Sequence, residues 1–98
     1  MAPNIEKLPC ALCFLEQEAD MPDGGNIASF DCSSCGRYSV SRRAISEFKR
    51  SEALRAAALK FVQAVQTPTH MAEFVFDFDL ETQKERLVGR VVPRAKYH

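Results

Sequence analysis

The chain has 98 residues, 46% of them hydrophobic and 27% charged, and its 13 basic and 13 acidic residues cancel to a net charge of zero. This composition is ordinary for a globular chain and excludes long disorder, and no apolar run approaches the ~20 residues of a membrane-spanning helix. A neutral chain also lacks the basic excess usual in dedicated nucleic-acid domains.

From Met1 to Lys7 there is no charged segment followed by an apolar run, so no signal peptide is expected. The chain is read as one complete small domain, residues 1–98, kept in the cytoplasm. Thiols stay reduced there, which favours metal binding over disulfides for its 4 cysteines.

Residues 1–41 hold all of those cysteines, as Cys10-Ala11-Leu12-Cys13 and Cys32-Ser33-Ser34-Cys35. Two residues between paired cysteines let both sulfurs point into one turn, where they can occupy two corners of a tetrahedron with Zn–S near ~2.3 Å. A second such turn supplies the other two corners, and the interval between the pairs falls within the ~15–20 residues usual for zinc sites. The spacing therefore predicts one structural Zn2+ held by Cys10, Cys13, Cys32 and Cys35. Two disulfides would need an exported chain, and a redox pair would need a CxxC opening a helix without acidic neighbours. A catalytic zinc would need an open coordination position, which four cysteines close. An iron–sulfur cluster is the remaining alternative for four thiolates. His70 and His98 are read as surface histidines rather than ligands.

Within the same region, Met21-Pro22-Asp23-Gly24-Gly25-Asn26 is dense in turn formers and predicts a loop tip. Ile27 to Asp31 and Arg37 to Val40 predict two strands flanking the second cysteine turn as a hairpin. The segments Pro9-Cys10-Ala11-Leu12-Cys13 and Asp31-Cys32-Ser33-Ser34-Cys35-Gly36-Arg37-Tyr38 resemble the zinc-ribbon superfamily over residues 5–41. In that superfamily each CxxC turn is a knuckle, often followed by glycine. Gly36 fits, whereas Phe14 stands at the matching place in the first knuckle. The resemblance implies a structural zinc, a role in binding nucleic acid or protein, and no catalytic activity.

Residues 42–66 read as helical, with Ser41 as N-cap. Leu54, Ala58, Phe61, Val62 and Val65 make one apolar stripe, and Ala44, Ile45 and Phe48 make another at a different angle. That mismatch predicts a bend or break near Arg50-Ser51, with Ser51 capping a second helix, and Pro68 ends the region. Residues 71–93 alternate as a β-hairpin turning at Glu81–Lys84, with Phe78 opposite Leu87 and Asp79 opposite Arg86. The Phe74-Phe76-Phe78 row is expected to pack on the Leu54-Phe61-Val65 stripe, and an exposed row would mark an interface instead. Residues 94–98 form a basic tail. The predicted fold class is α+β: an N-terminal zinc ribbon, one bent helix or two short ones, and a C-terminal β-hairpin.

Charge is unevenly placed. Residues 1–35 carry Lys7 against six acids, whereas residues 36–70 carry seven bases against Glu47 and Glu52. Two readings of the surface follow. In the first, the chain is a non-enzymatic regulator, adaptor or inhibitor that binds another protein through the acidic ribbon, its loop tip or a free sheet edge. In the alternative, Arg37, Tyr38, Arg42, Arg43, Lys49, Arg50 and Lys60 bind nucleic acid, contacting phosphates and stacking on a base. Neither reading involves a small-molecule substrate or a membrane. An enzyme finds little support: there is no phosphate-binding glycine loop, and the Asp77–Asp79 pair has Arg86 and Arg90 as natural salt-bridge partners.

Overall fold

A computed structural model describes residues 5–21 and 26–94 of the chain. Their strands are β1 (Ile5–Pro9), β2 (Glu16–Asp20), β3 (Ile27–Cys32), β4 (Gly36–Ser41), β5 (His70–Asp79) and β6 (Lys84–Pro93). Two helices, α1 (Arg42–Arg50) and α2 (Glu52–Val65), lie between β4 and β5. All six strands form one sheet in sequence order. Neighbours are antiparallel except β4 and β5, which run parallel through Tyr38↔Ala72, Ser39↔Glu73 and Val40↔Phe74.

The parallel link corrects the expected architecture. A ribbon followed by a separate C-terminal hairpin is not what the chain adopts, because β4 and β5 fuse both into a single mixed sheet. Parallel neighbours need a long crossover, and here the two helices provide it. The strands β1 and β2 add a third hairpin, beside β3–β4 and β5–β6, at one edge of that sheet.

The helices form where the side chains demand it. Ser41 Oγ accepts the Ala44 N–H at 3.2 Å, and Ser51 Oγ accepts the Leu54 N–H at 3.1 Å. Each serine thus satisfies one N-terminal donor. The helix axis breaks at extended Ser51, where the two apolar stripes change angle. Ala44 and Phe48 of α1 and Ala58 and Val62 of α2 are buried against the sheet. Phe74 is the hub of this layer: its ring meets those of Tyr38, Phe48 and Phe61 edge-on at centroid distances of 6.2, 5.3 and 5.9 Å. Gly89 leaves room for the cluster, since a Cβ there would lie 3.2 Å from Phe74 and 3.3 Å from Phe61.

The phenylalanine row divides along its strand. Phe74 is buried, Phe76 is half-buried under Arg43, and Phe78 is exposed. The hairpin register also differs from the expected one by two positions: Phe78 faces Glu85, Asp77 faces Arg86 and Asp79 faces Lys84. The turn is Leu80–Gln83, tightened by Asp79 Oδ1 accepting the Glu81 N–H at 2.9 Å and by Gln83 at φ 55°. An even shift leaves every side chain on its expected face. On the face opposite Phe74, register aligns Ser29, Ser39, Glu73 and Arg90 in a polar row across four strands. Buried Glu73 is paired there with Arg90 Nε at 2.7 Å.

Met21, placed in the loop tip from sequence, is buried in the core. Residues 22–25 of that tip, and residues 95–98 of the basic tail with His98, lie outside the described residues. Arg94 donates its backbone N–H to the Thr69 carbonyl and Nε to the His70 carbonyl. No described helix is long and apolar enough to cross a membrane.

Candidate metal centre

Two hairpin turns meet at one end of the sheet. The first knuckle joins β1 to β2 and carries Cys10 and Cys13, and the second joins β3 to β4 and carries Cys32 and Cys35. All four sulfurs lie within 4.8 Å of one another. Cys10 and Cys35 Sγ are 3.9 Å apart, and Cys13 and Cys32 Sγ are 3.6 Å apart. A tetrahedron with Zn–S of ~2.3 Å has an edge of about 3.8 Å, so both separations match the donor geometry of a single tetrahedral ion. They are far longer than the ~2.04 Å of a disulfide, and all four residues are free thiols. The donor set is therefore compatible with a metal ion. Cys10, Cys32 and Cys35 are buried, and Cys13 is exposed.

The backbone of each knuckle turns back through a left-handed residue. Gly36 has φ 106°, and Phe14 has φ 64°. Phe14 thus fills the glycine role of the first knuckle despite its side chain, an uncommon conformation that costs a non-glycine residue energy. Its turn is closed by the Phe14 N–H donating to the Cys10 carbonyl at 2.9 Å and the Cys10 N–H to the Leu15 carbonyl at 2.8 Å. The Phe14 ring stacks under Arg55 of α2, whose guanidinium carbon is 4.6 Å from the ring centre. Arg55 Nη1 also donates to the Phe48 carbonyl at 2.5 Å and the Lys49 carbonyl at 3.3 Å. One side chain thereby ties the first knuckle to the end of α1.

As free thiols the four do not titrate alike. Partial desolvation raises Cys13 although it is exposed, opposed by the Leu15 N–H and reinforced by hydrogen bonds with Cys32 and Cys10. Burial and then the charge of Cys10 push Cys35 up. Burial also opposes ionisation of Cys32, but hydrogen bonds from the Gln17 side chain and from the Cys35 and Ser34 amides outweigh it and bring Cys32 down to about 6. One thiolate forms readily, and its crowded neighbours then resist. A cation among them removes that resistance.

The sequence-predicted cationic set is not gathered into one surface of the expected kind. Tyr38, assigned to base stacking, is fully buried, and its ring stacks on Phe30 with centroids 5.3 Å apart. The strand alternation that put Tyr38 beside Val40 turns both toward the helices, so its ring is closed to a base. Arg37 lies on the opposite face of β4, beside Glu18, Asp20 and Asp31. Arg43 pairs with Glu85 and lies over Phe76, and Arg50 is 3.9 Å from Glu47. Arg42 and Lys49 on α1 and Lys60 on α2 are exposed. His70 is exposed, with Nδ1 2.8 Å from Thr69 Oγ1, and is not among the clustered ligand atoms.

Three neighbours of the thiols were not assigned from sequence: Tyr38 at Cys10, Gln17 at Cys32, and Arg55 on Phe14. Strand parity with Val40 could have placed Tyr38 on the core face. Gln17 and Arg55 come from a second hairpin and a second helix, for which no short-range pattern exists. Compared with protein-family models, curated proteins and solved structures, the chain matches none of them.

Proposed function

We propose that Cys10, Cys13, Cys32 and Cys35 hold one structural zinc ion in a zinc-ribbon-like centre, and that the protein is a non-enzymatic regulator or adaptor acting through contacts with another protein. The observation that carries the metal assignment is the convergence of four thiols at tetrahedral separations, 3.6 and 3.9 Å across the two knuckles. Zinc is the usual occupant of such a set, and four thiolates leave no position for substrate or water. The centre therefore has a stabilising role, and function falls to the surface around it.

Support for a protein partner comes from the exposed apolar side chains. Phe14 and Leu15 stand exposed at the first knuckle, beside a hollow lined by Leu12, Cys13, Arg55, Ala56 and Leu59. Phe78 and Leu80 stand exposed at the far tip of the β5–β6 hairpin. Exposed aromatic and aliphatic anchors of this kind suit protein recognition, where buried apolar contacts carry most of the affinity. The nucleic-acid reading keeps Arg42, Lys49, Arg50 and Lys60 as exposed cations but loses its stacking residue.

Two assays on the zinc-loaded protein separate these readings. Fluorescence anisotropy with mixed single- and double-stranded DNA and RNA at low salt is expected to show no binding. Affinity capture from the source cells, after nuclease treatment, is expected to retain a partner that Leu15→Glu or Leu80→Glu releases. Salt-sensitive nucleic-acid binding that falls with Arg42→Ala and Arg50→Ala would replace the first reading with the second.

A further inference from the structure

Tyr38 is a puzzle as a core residue. It is fully buried between Phe30 and Phe74, where phenylalanine would fill almost the same space without a hydroxyl to satisfy. A buried hydroxyl without partners costs free energy, so its partners explain its presence. Both belong to the first knuckle. The Ala11 N–H donates to the phenol oxygen at 3.0 Å, and Cys10 Sγ lies 2.9 Å from the same oxygen. With one lone pair engaged by that amide, the phenol still has its own proton to give. A metal-bound Cys10 is a thiolate, which can only accept.

We propose that Tyr38 is a positioning residue of the metal centre, donating its phenol proton to the Cys10 thiolate and thereby holding that ligand in place. The inference rests on the zinc reading above. Tyr38 stands three residues beyond Cys35, on the strand that leaves the second knuckle, yet it grips the first. It therefore locks the two halves of the donor set together. The bond also meets an electrostatic need. Four thiolates around Zn2+ carry a formal charge of about −2, and Cys10 is wholly shielded from water. A phenol donor draws electron density from the sulfur where solvent has no access.

The test uses Co2+ as a spectroscopic stand-in and chelator competition for zinc affinity, on the full chain. In Tyr38→Phe, zinc affinity is expected to fall roughly 10- to 100-fold, the range seen when groups supporting metal ligands are removed. The sulfur-to-cobalt charge-transfer band is expected to move to lower energy, because a thiolate without its donor gives up electrons more easily. A second variant keeps the ring and the hydroxyl: 3-fluorotyrosine incorporated in a Tyr97→Phe background, which leaves Tyr38 as the sole site. Its stronger donor is expected to move the band to higher energy, and this result decides the matter if Tyr38→Phe does not fold. An unmoved band in both, or in the fluorotyrosine protein alone if Tyr38→Phe is unfolded, would overturn the role of Tyr38 while leaving the zinc centre standing. A wild-type protein that gives no tetrathiolate cobalt spectrum would overturn the centre and this inference together.

Discussion

Phe14 holds a conformation that its side chain resists. At φ 64° it sits in the left-handed region, which costs an L-residue about 1–2 kcal/mol that glycine avoids. Its ring offsets part of this by stacking under Arg55, worth about 0.5–1 kcal/mol at an exposed site. Two substitutions separate the contributions, because Phe14→Ala and Phe14→Gly lose the same ring and differ only in the backbone. The glycine variant is expected to be the more stable by about 1 kcal/mol, reversing the order found in ordinary extended or helical positions. Chemical denaturation of the metal-loaded variants measures the difference, and an alanine variant equal to or better than glycine would contradict the turn geometry. The cysteine cluster was legible at this scale because CxxC spacing is local chemistry. The partners of the thiols were not, since Tyr38 reaches Cys10 only across a completed sheet.

Arg55 matters at the scale of elements. It donates to the last-turn carbonyls of α1 from its place on α2, and it covers the first knuckle. Arg55→Met keeps the aliphatic stem but loses both carbonyl bonds and the cation–π contact. The expected cost is about 1–2 kcal/mol in urea unfolding, and an unchanged midpoint would show that these contacts contribute nothing. The helix break was legible because the Ala44–Phe48 and Leu54–Val65 stripes disagree in angle and Ser51 is a good cap. β1 and β2 were not, because Ile5-Glu6-Lys7-Leu8-Pro9 and Glu16-Gln17-Glu18-Ala19-Asp20 lack a β-branched alternation. Their pairing depends on the knuckle between them. The parallel contact of β4 with β5 was equally hidden, since its partners lie on either side of two helices and only packing brings them together.

For the whole molecule, that contact changes what a bound metal would support. Both knuckles feed strands of one continuous sheet, and Tyr38 and Val40 of β4 lie at the centre of the core. Losing the metal should therefore unfold the described sheet as a unit rather than residues 1–41 alone. Structural zinc contributes on the order of 10–16 kcal/mol in small peptides, comparable to the entire ~5–15 kcal/mol stability of a typical domain. Acid should have the same effect. Zinc binds thiolates, and Cys13 and Cys35 are both raised and so protonated near neutrality. For any metal-free folded form, the raised thiols contribute stability that is full below the unfolded range of ~8.5 and is lost as pH rises through their folded values, whereas Cys32, lowered to about 6, contributes above ~8.5 and loses its contribution as pH falls through 6. Zinc uptake at pH 7 replaces protons on thiols whose unfolded range is ~8.5, so at least two protons must be released. Titration calorimetry in buffers of different ionisation enthalpy is expected to report two or more, and a count below two would contradict the thiol assignments.

The most direct test of the central claim is far-UV circular dichroism melting of the purified chain, with zinc content quantified before and after chelation. The account predicts one zinc per chain, a single cooperative melt, and loss of that melt when the zinc is removed. A chain that holds no zinc, or that melts unchanged after its zinc is demonstrably gone, would contradict it.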